Sequence, residues 1–140
     1  MNKDILKKTG IILLGIVAIF VLPGICDATL ILSGLPPFPQ KPESFTSIIL
    51  VISFAYRVVF VFVGGYIVGK LASNKPMVLV LIFAIICILI ALYGIIAGWN
   101  LPSYPHWYPI GLFIFTFPAV WYGGKLALKK KTNNQINYLV

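Results

Sequence analysis

Four long apolar runs, separated by short polar stretches that carry proline, make up nearly the whole of this chain. The first extends from about Thr9 to Ser33, the second from about Thr46 to Ala72, the third from about Met77 to Trp99, and the fourth from about Trp107 to Leu128. Each is close to or above the roughly 20 residues that a helix needs to cross a hydrocarbon layer. The separators are "LPPFPQKPES", "SNK" ahead of Pro76, and "NLPSYPH", all rich in residues that break helices or prefer turns. Proline fixes φ, lacks a donor and disfavours helix in the residue before it. An open strand edge in hydrocarbon would leave backbone groups unpaired, so runs of this length are predicted to be helical. The expected fold class is all-α, a four-helix transmembrane bundle forming one domain over residues 1–140.

Composition agrees and narrows the field. With 60% hydrophobic and 10% charged residues, the chain lies far from the soluble balance. Four spans use most of its 140 residues and leave no room for a separate extramembrane active-site domain. Lys3, Lys7 and Lys8 precede the first run, Lys70 and Lys75 bracket the second turn, and Lys125, Lys129, Lys130 and Lys131 close the fourth. Lys41 alone falls on the other side. The positive-inside rule then puts the N-terminus, the C-terminus and the middle turn in the cytoplasm. The net charge of +8 reads as topology and as attraction to anionic headgroups, worth about 1 kcal/mol per basic residue at the surface. The lipid bilayer is thus the expected partner. Nucleic acid is not, because the chain offers no folded basic face with stacking or groove-reading elements.

The first run also has the basic start, apolar core and small residue, Ala28, of a cleavable leader. Apolar character resumes at "TLILSG", which lengthens the segment toward a true span. Cys26 lies toward the outer side and Cys87 near mid-membrane, so a bond between them would be hard to close, and both are expected as buried thiols.

Within "SFAYRVVFVFVGGY", residues 53–66, stands one arginine. Near the bilayer centre such a residue costs about 2.5 to 3.5 kcal/mol on insertion scales, so Arg57 must face something polar. At about 100° per residue, Thr46, Ser53, Arg57 and Gly64 share a narrow stripe, with Ile49, Val59, Phe62 and Tyr66 on the opposite, lipid-facing side. The acid available within the spans is Asp27, which by the rise per residue sits roughly 10 Å or more outward of the midplane. A direct pair therefore requires Arg57 to lean outward, water between the two, or a bend at Pro23 and Gly24. Two readings stand: a registry lock between helices, or part of a ligand site.

Small residues recur at helical spacing. Ala84, Cys87, Ala91, Gly94 and Gly98 line one stripe of the third run, Gly65 and Gly69 repeat the spacing in the second, and Ala119, Gly123 and Ala127 in the fourth. With Gly64, these glycines are the predicted sites of close helix packing, against another span or against a second copy in a homo-oligomer or larger membrane complex. The second and fourth runs also end alike, "VGKLAS" against "GGKLAL", which hints at a duplicated hairpin with the two runs parallel.

"WNLPSYPHWYPIG" concentrates Trp99, Tyr104, His106, Trp107 and Tyr108 among prolines. An interfacial aromatic belt accounts for them. The sharper reading is an aromatic lid over the Arg57–Asp27 region, with Phe38 opposite and with His106 as a gate, histidine being the side chain that ordinarily changes charge near neutral pH.

The series "AYRV", "GGY", "KLASNKPM", "GWN", "PHWYP" and "WYGGKL", spanning Ala55 to Leu126, resembles a group of small four-span bacterial integral membrane proteins with no assigned activity. The resemblance implies the fold and a multi-pass location in a bacterial plasma or inner membrane. It carries no site residues.

Enzyme chemistry is not expected. One histidine, three acids and no Cys/His cluster argue against a metal site, no cofactor motif is present, and neither GxSxG nor a phosphate loop occurs. A lipid-modifying pair of His106 and Asp27 lacks a nucleophile. Small multidrug transporters share the size but carry a membrane glutamate on the first helix, which is missing here. The expected function is binding or transport of an anionic or amphipathic small molecule or lipid in an outward-facing pocket formed by Arg57, Asp27, Ser53, His106, Trp107 and Tyr108. The alternatives are an accessory subunit without ligand and a holin-like pore former.

Overall fold

The computed structural model describes residues 2–34, 47–100 and 105–139. It contains four helices, α1 (Lys3–Leu32), α2 (Ser47–Leu71), α3 (Pro76–Gly98) and α4 (Trp107–Leu139), all long and apolar enough to cross a membrane. Among the described residues there is no strand. Phe38, Lys41, Thr46 and Tyr104, named above, lie outside the described residues.

Two boundaries differ from expectation, both toward longer helices. α1 starts at Lys3 instead of near Thr9, because "KDILKK" contains no helix breaker and Asp4 in the first turn favours the positive end of the helix dipole. α4 continues past Leu128 to Leu139, since "KKKTNNQINYL" contains neither glycine nor proline to stop it. At the start of α3 proline chemistry decides. α3 opens with Pro76 at its first position, where the missing N–H has no helical partner to lose, directly after Lys75 in the left-handed region at φ 48°. Pro23 lies inside α1, which nevertheless runs unbroken.

Leu13, Val17, Leu89, Ile96 and Ile114 are each more than half exposed. Apolar surface of that breadth is tolerated in lipid and not in water, so the bundle is that of an integral membrane protein. Its interior is small: Phe83, Val68, Val80 and Val120 are fully buried, with Ile11, Leu79, Ala84 and Cys87 around them.

α2 and α4 form the most extensive contact in the bundle, and glycine makes it possible. A Cβ added at Gly65 would fall on the Val120 carbonyl oxygen, and one at Gly123 on the Phe62 carbonyl oxygen; at Gly69 it would lie 2.9 Å from the Gly124 carbonyl. The contacts Phe54–Gly111, Gly65–Val120 and Gly69–Gly124 advance together along both helices, so α2 and α4 are parallel. Gly69 opposite Gly124 is also the pairing obtained by laying "VGKLAS" on "GGKLAL". Farther along, the Lys131 ammonium donates to the Ala72 carbonyl at 3.3 Å. Phe62 and Tyr66, expected to face lipid, instead present backbone to α4 and are half-buried. Their position opposite the polar stripe points them to lipid, whereas α4 packs on that side through the main chain beside them.

α1 packs antiparallel on α2 through Gly15 against Val68 and Ile19 against Gly64, at 2.7 and 2.6 Å from the built Cβ positions. The Phe83 ring of α3 fills the notch left by Gly15 and Gly64. Beyond that ring, α1 and α3 share no comparable filler, and the interior opens.

Candidate functional site

The opening beyond Phe83 is a cavity of about 450 Å³. α1 contributes Ile19, Phe20 and Pro23 to its wall, and α2 contributes Arg57 and Val61. The far wall, from α4, holds Tyr108, Leu112 and Thr116. The α3 wall is the small-residue stripe itself, from Cys87 through Ala91 and Gly94 to Gly98.

Gly94 and Gly98, expected to pack against another span or a second copy, meet no other span of this chain: a Cβ at either would have nothing within 4 Å. The stripe divides at Cys87. Ala84 and Cys87 are buried in the core, while the turns beyond border open volume. The other predicted glycines, Gly64, Gly65, Gly69 and Gly123, are all buried at helix contacts.

Arg57 and Asp27 meet directly, with Nη2 and Oδ2 2.6 Å apart. The expected difference in depth is absent, and no bend in α1 is needed to remove it. Because α1 begins earlier than its apolar run, and because Gly15 and Gly64 fix its slide along α2, Asp27 arrives opposite Arg57 in the same antiparallel series as Gly15–Val68 and Ile19–Gly64. The side chains remain 27% and 16% exposed, so the pair sits at the edge of the interior.

Asp27 has a second partner. The Tyr56 hydroxyl donates to Oδ1, and the Ser53 hydroxyl lies 3.3 Å from the same phenol oxygen. Ser53 is wholly buried. Thus the predicted Asp27, Arg57 and Ser53 come together, with Tyr56 as the member that sequence reasoning missed. The signal for it was a phenol in mid-span, since a Tyr hydroxyl away from water seeks a partner. In an α-helix Tyr56 follows Ser53 by three positions, which puts the two on neighbouring turns of one face.

The aromatic residues separate into two groups. Tyr108 is 4% exposed and lines the cavity. Its ring and that of Trp107 pack on Phe54 at centroid distances of 6.1 Å each, and Phe54 covers Gly111. Trp107 is itself exposed, and His106 lies beside Trp99 at 4.6 Å, away from the cavity wall. Of the described lid residues Trp99, His106, Trp107 and Tyr108, then, only Tyr108 borders the cavity, whereas Trp99, His106 and Trp107 hold the end of the bundle as an interfacial aromatic cluster does.

Chemically, the arrangement is a largely hydrocarbon-lined chamber with Arg57 in its wall, and the charge of Arg57 is already compensated by Asp27, which is not itself part of that wall. Such a chamber suits an apolar chain ending in a polar head. No protein-family model, no curated protein and no solved structure matches this chain.

Proposed function

We propose that this integral membrane protein binds an amphipathic molecule, lipid or small ligand, in the chamber between α1 and α3, with the polar head at Arg57, and that it carries out no covalent chemistry. The single observation behind this reading is that the cavity wall, apolar over most of its extent, includes Arg57. Binding or carriage of an anionic head follows from that charge. The apolar chain would lie along Ala91, Gly94 and Gly98, whose missing side chains leave the space.

The reading is tested by native mass spectrometry of protein released from bilayers that contain a trace of an anionic single-chain amphipath. Arg57→Leu is expected to lower its occupancy at least fivefold, and Lys41→Ala to leave it within twofold of wild type. Equal occupancy in both variants rejects the pocket.

A structural role for the same ion pair is the second reading, favoured by the way Asp27 and Arg57 tie α1 to α2 at the end away from the lysines. It predicts no bound amphipath in wild type and loss of assembly in Arg57→Leu.

In our proposal both termini face the cytoplasm of a bacterial cell. The lysines of α1, of the α2–α3 turn and of α4 gather at one end of the bundle, where Asp4, Lys7 and Lys8 share a cleft with Ser73 and Asn74. In intact cells an impermeant maleimide should label Lys41→Cys, but Asn133→Cys only after permeabilisation. The reverse pattern overturns the orientation.

A further inference from the structure

The anion beside the chamber is the protein's own. One carboxylate oxygen of Asp27 rests on Arg57 Nη2 at 2.6 Å, and the other accepts from the Tyr56 hydroxyl, with Ser53 3.3 Å behind that hydroxyl. A guanidinium and a hydroxyl, each gripping one oxygen of a planar anion, constitute a carboxylate-binding site. From this cluster Arg57 is the residue that also forms the chamber wall, so a ligand head in the chamber and Asp27 address the same guanidinium.

From this geometry, and resting on the amphipath reading above, we propose that the ligand is a single-chain carboxylate, of the fatty-acid class, and that it takes the place of Asp27 on Arg57. Asp27 is a resident stand-in that keeps the site neutral between ligands. Charge balance selects the class. Exchanging one monoanion for another leaves Arg57 neutralised, with the released Asp27 carboxylate turning out to the surface where it is already 16% exposed, whereas a phosphate monoester, carrying about −1.5 to −2, would leave surplus charge on Arg57 itself, at a place where charge is costly. The mostly apolar wall sets the rest of the molecule, since Ala91, Gly94 and Gly98 leave a trough whose α3 side carries no polar side chain.

Asp27 also has a means of withdrawing. Pro23, one turn before it and itself part of the chamber wall, has no N–H to give to the Ile19 carbonyl. The outer turns of α1 that carry Asp27 are therefore joined to the rest by one backbone hydrogen bond fewer, at the position where a bend would draw Asp27 off Arg57.

The test uses the full chain in phosphatidylcholine vesicles, with spin-labelled stearic acid and its methyl ester as probes, in buffer alkaline enough to ionise the acid. Electron paramagnetic resonance reads the fraction of each probe held by protein. Wild type should prefer the acid. Asp27→Asn should raise the acid-over-ester ratio about tenfold, because Arg57 no longer has a charged carboxylate to give up, and Asp27→Asn with Arg57→Gln should show no preference. An unchanged or lower ratio in Asp27→Asn, with Arg57→Leu still depleting the acid from wild type, overturns the exchange and leaves the chamber reading standing. No restricted probe of either kind in wild type overturns both. A second measurement needs no variant: with 13C-aspartate in the wild-type protein, which has Asp4 and Asp27 as its aspartates, difference infrared spectra should show a shifted carboxylate band on adding the acid and none on adding the ester. A band that stays in place also overturns the exchange.

Discussion

Asp27→Ala is expected to destabilise the folded bundle by about 3 kcal/mol, the range found when one member of a sheltered ion pair is removed and the other stays. Asp27→Ala combined with Arg57→Leu should recover most of that loss. The asymmetry arises because the Asp27–Arg57 pair, at 2.6 Å, contributes modestly by itself, whereas a guanidinium deprived of its countercharge within a span faces an insertion cost of about 2.5 to 3.5 kcal/mol. With 27% of the Arg57 side chain exposed, part of that cost is relieved by leaning toward the chamber mouth, so the loss should fall at the lower end. Asp27→Asn should be milder than Asp27→Ala, because its amide oxygen can still accept from Tyr56 or Arg57. Unfolding by a denaturing detergent, followed by circular dichroism on the four proteins of the cycle, gives the coupling directly. A double variant no more stable than Asp27→Ala alone would mean that the uncompensated charge is not the source of the damage.

The positions of the helices were plain in the order of residues because hydrocarbon admits few backbone solutions, and the lysines marked which ends lie together. What surrounds each face was much less plain. In lipid, a surface that meets tails and one that meets another helix are both apolar, so hydrophobicity does not separate them. Residue size was the remaining guide, and it worked only where small residues meet backbone. At Gly65, Gly69 and Gly123 small residues do lie against the backbone of a neighbouring helix. At Gly94 and Gly98 size did not reveal the open volume within the chain, because a stripe of small residues looks the same whether another span, a second copy or a void lies against it. The relative depth of Asp27 and Arg57 was inaccessible for a related reason. Counting from Lys8 assumes that helix and apolar run begin together, whereas α1 starts at Lys3 and its slide is set by Gly15, a residue in no apparent motif. Tyr56 was overlooked as one more aromatic in an aromatic-rich span, although its hydroxyl completes the grip on Asp27.

Gly123→Leu and Gly65→Leu should be the most damaging single substitutions in the bundle, each costing more than the roughly 1 to 3 kcal/mol typical of overpacking. Even the first added carbon falls on main chain: at Gly123 on the Phe62 carbonyl oxygen, at Gly65 on the Val120 carbonyl oxygen. A side chain could rotate away, but a helical carbonyl cannot without breaking its ladder. α2 and α4 would have to separate along their shared line, and with them Gly69 from Gly124 and Phe54 from Gly111. The two substitutions should therefore be strongly sub-additive, since one separation accommodates both. Gly94→Ala supplies the contrast, because its new methyl meets nothing within 4 Å and alanine holds a helix better than glycine by about 1 kcal/mol. It should leave unfolding unchanged or raise its midpoint. Gly64→Ala should fall between these, as its neighbour is the Ile19 methyl at 2.6 Å, a side-chain atom with some freedom to shift. Equal damage from Gly94→Ala and Gly123→Ala in the same detergent titration would show that the α3 stripe packs against protein, and the chamber would then have no α3 wall.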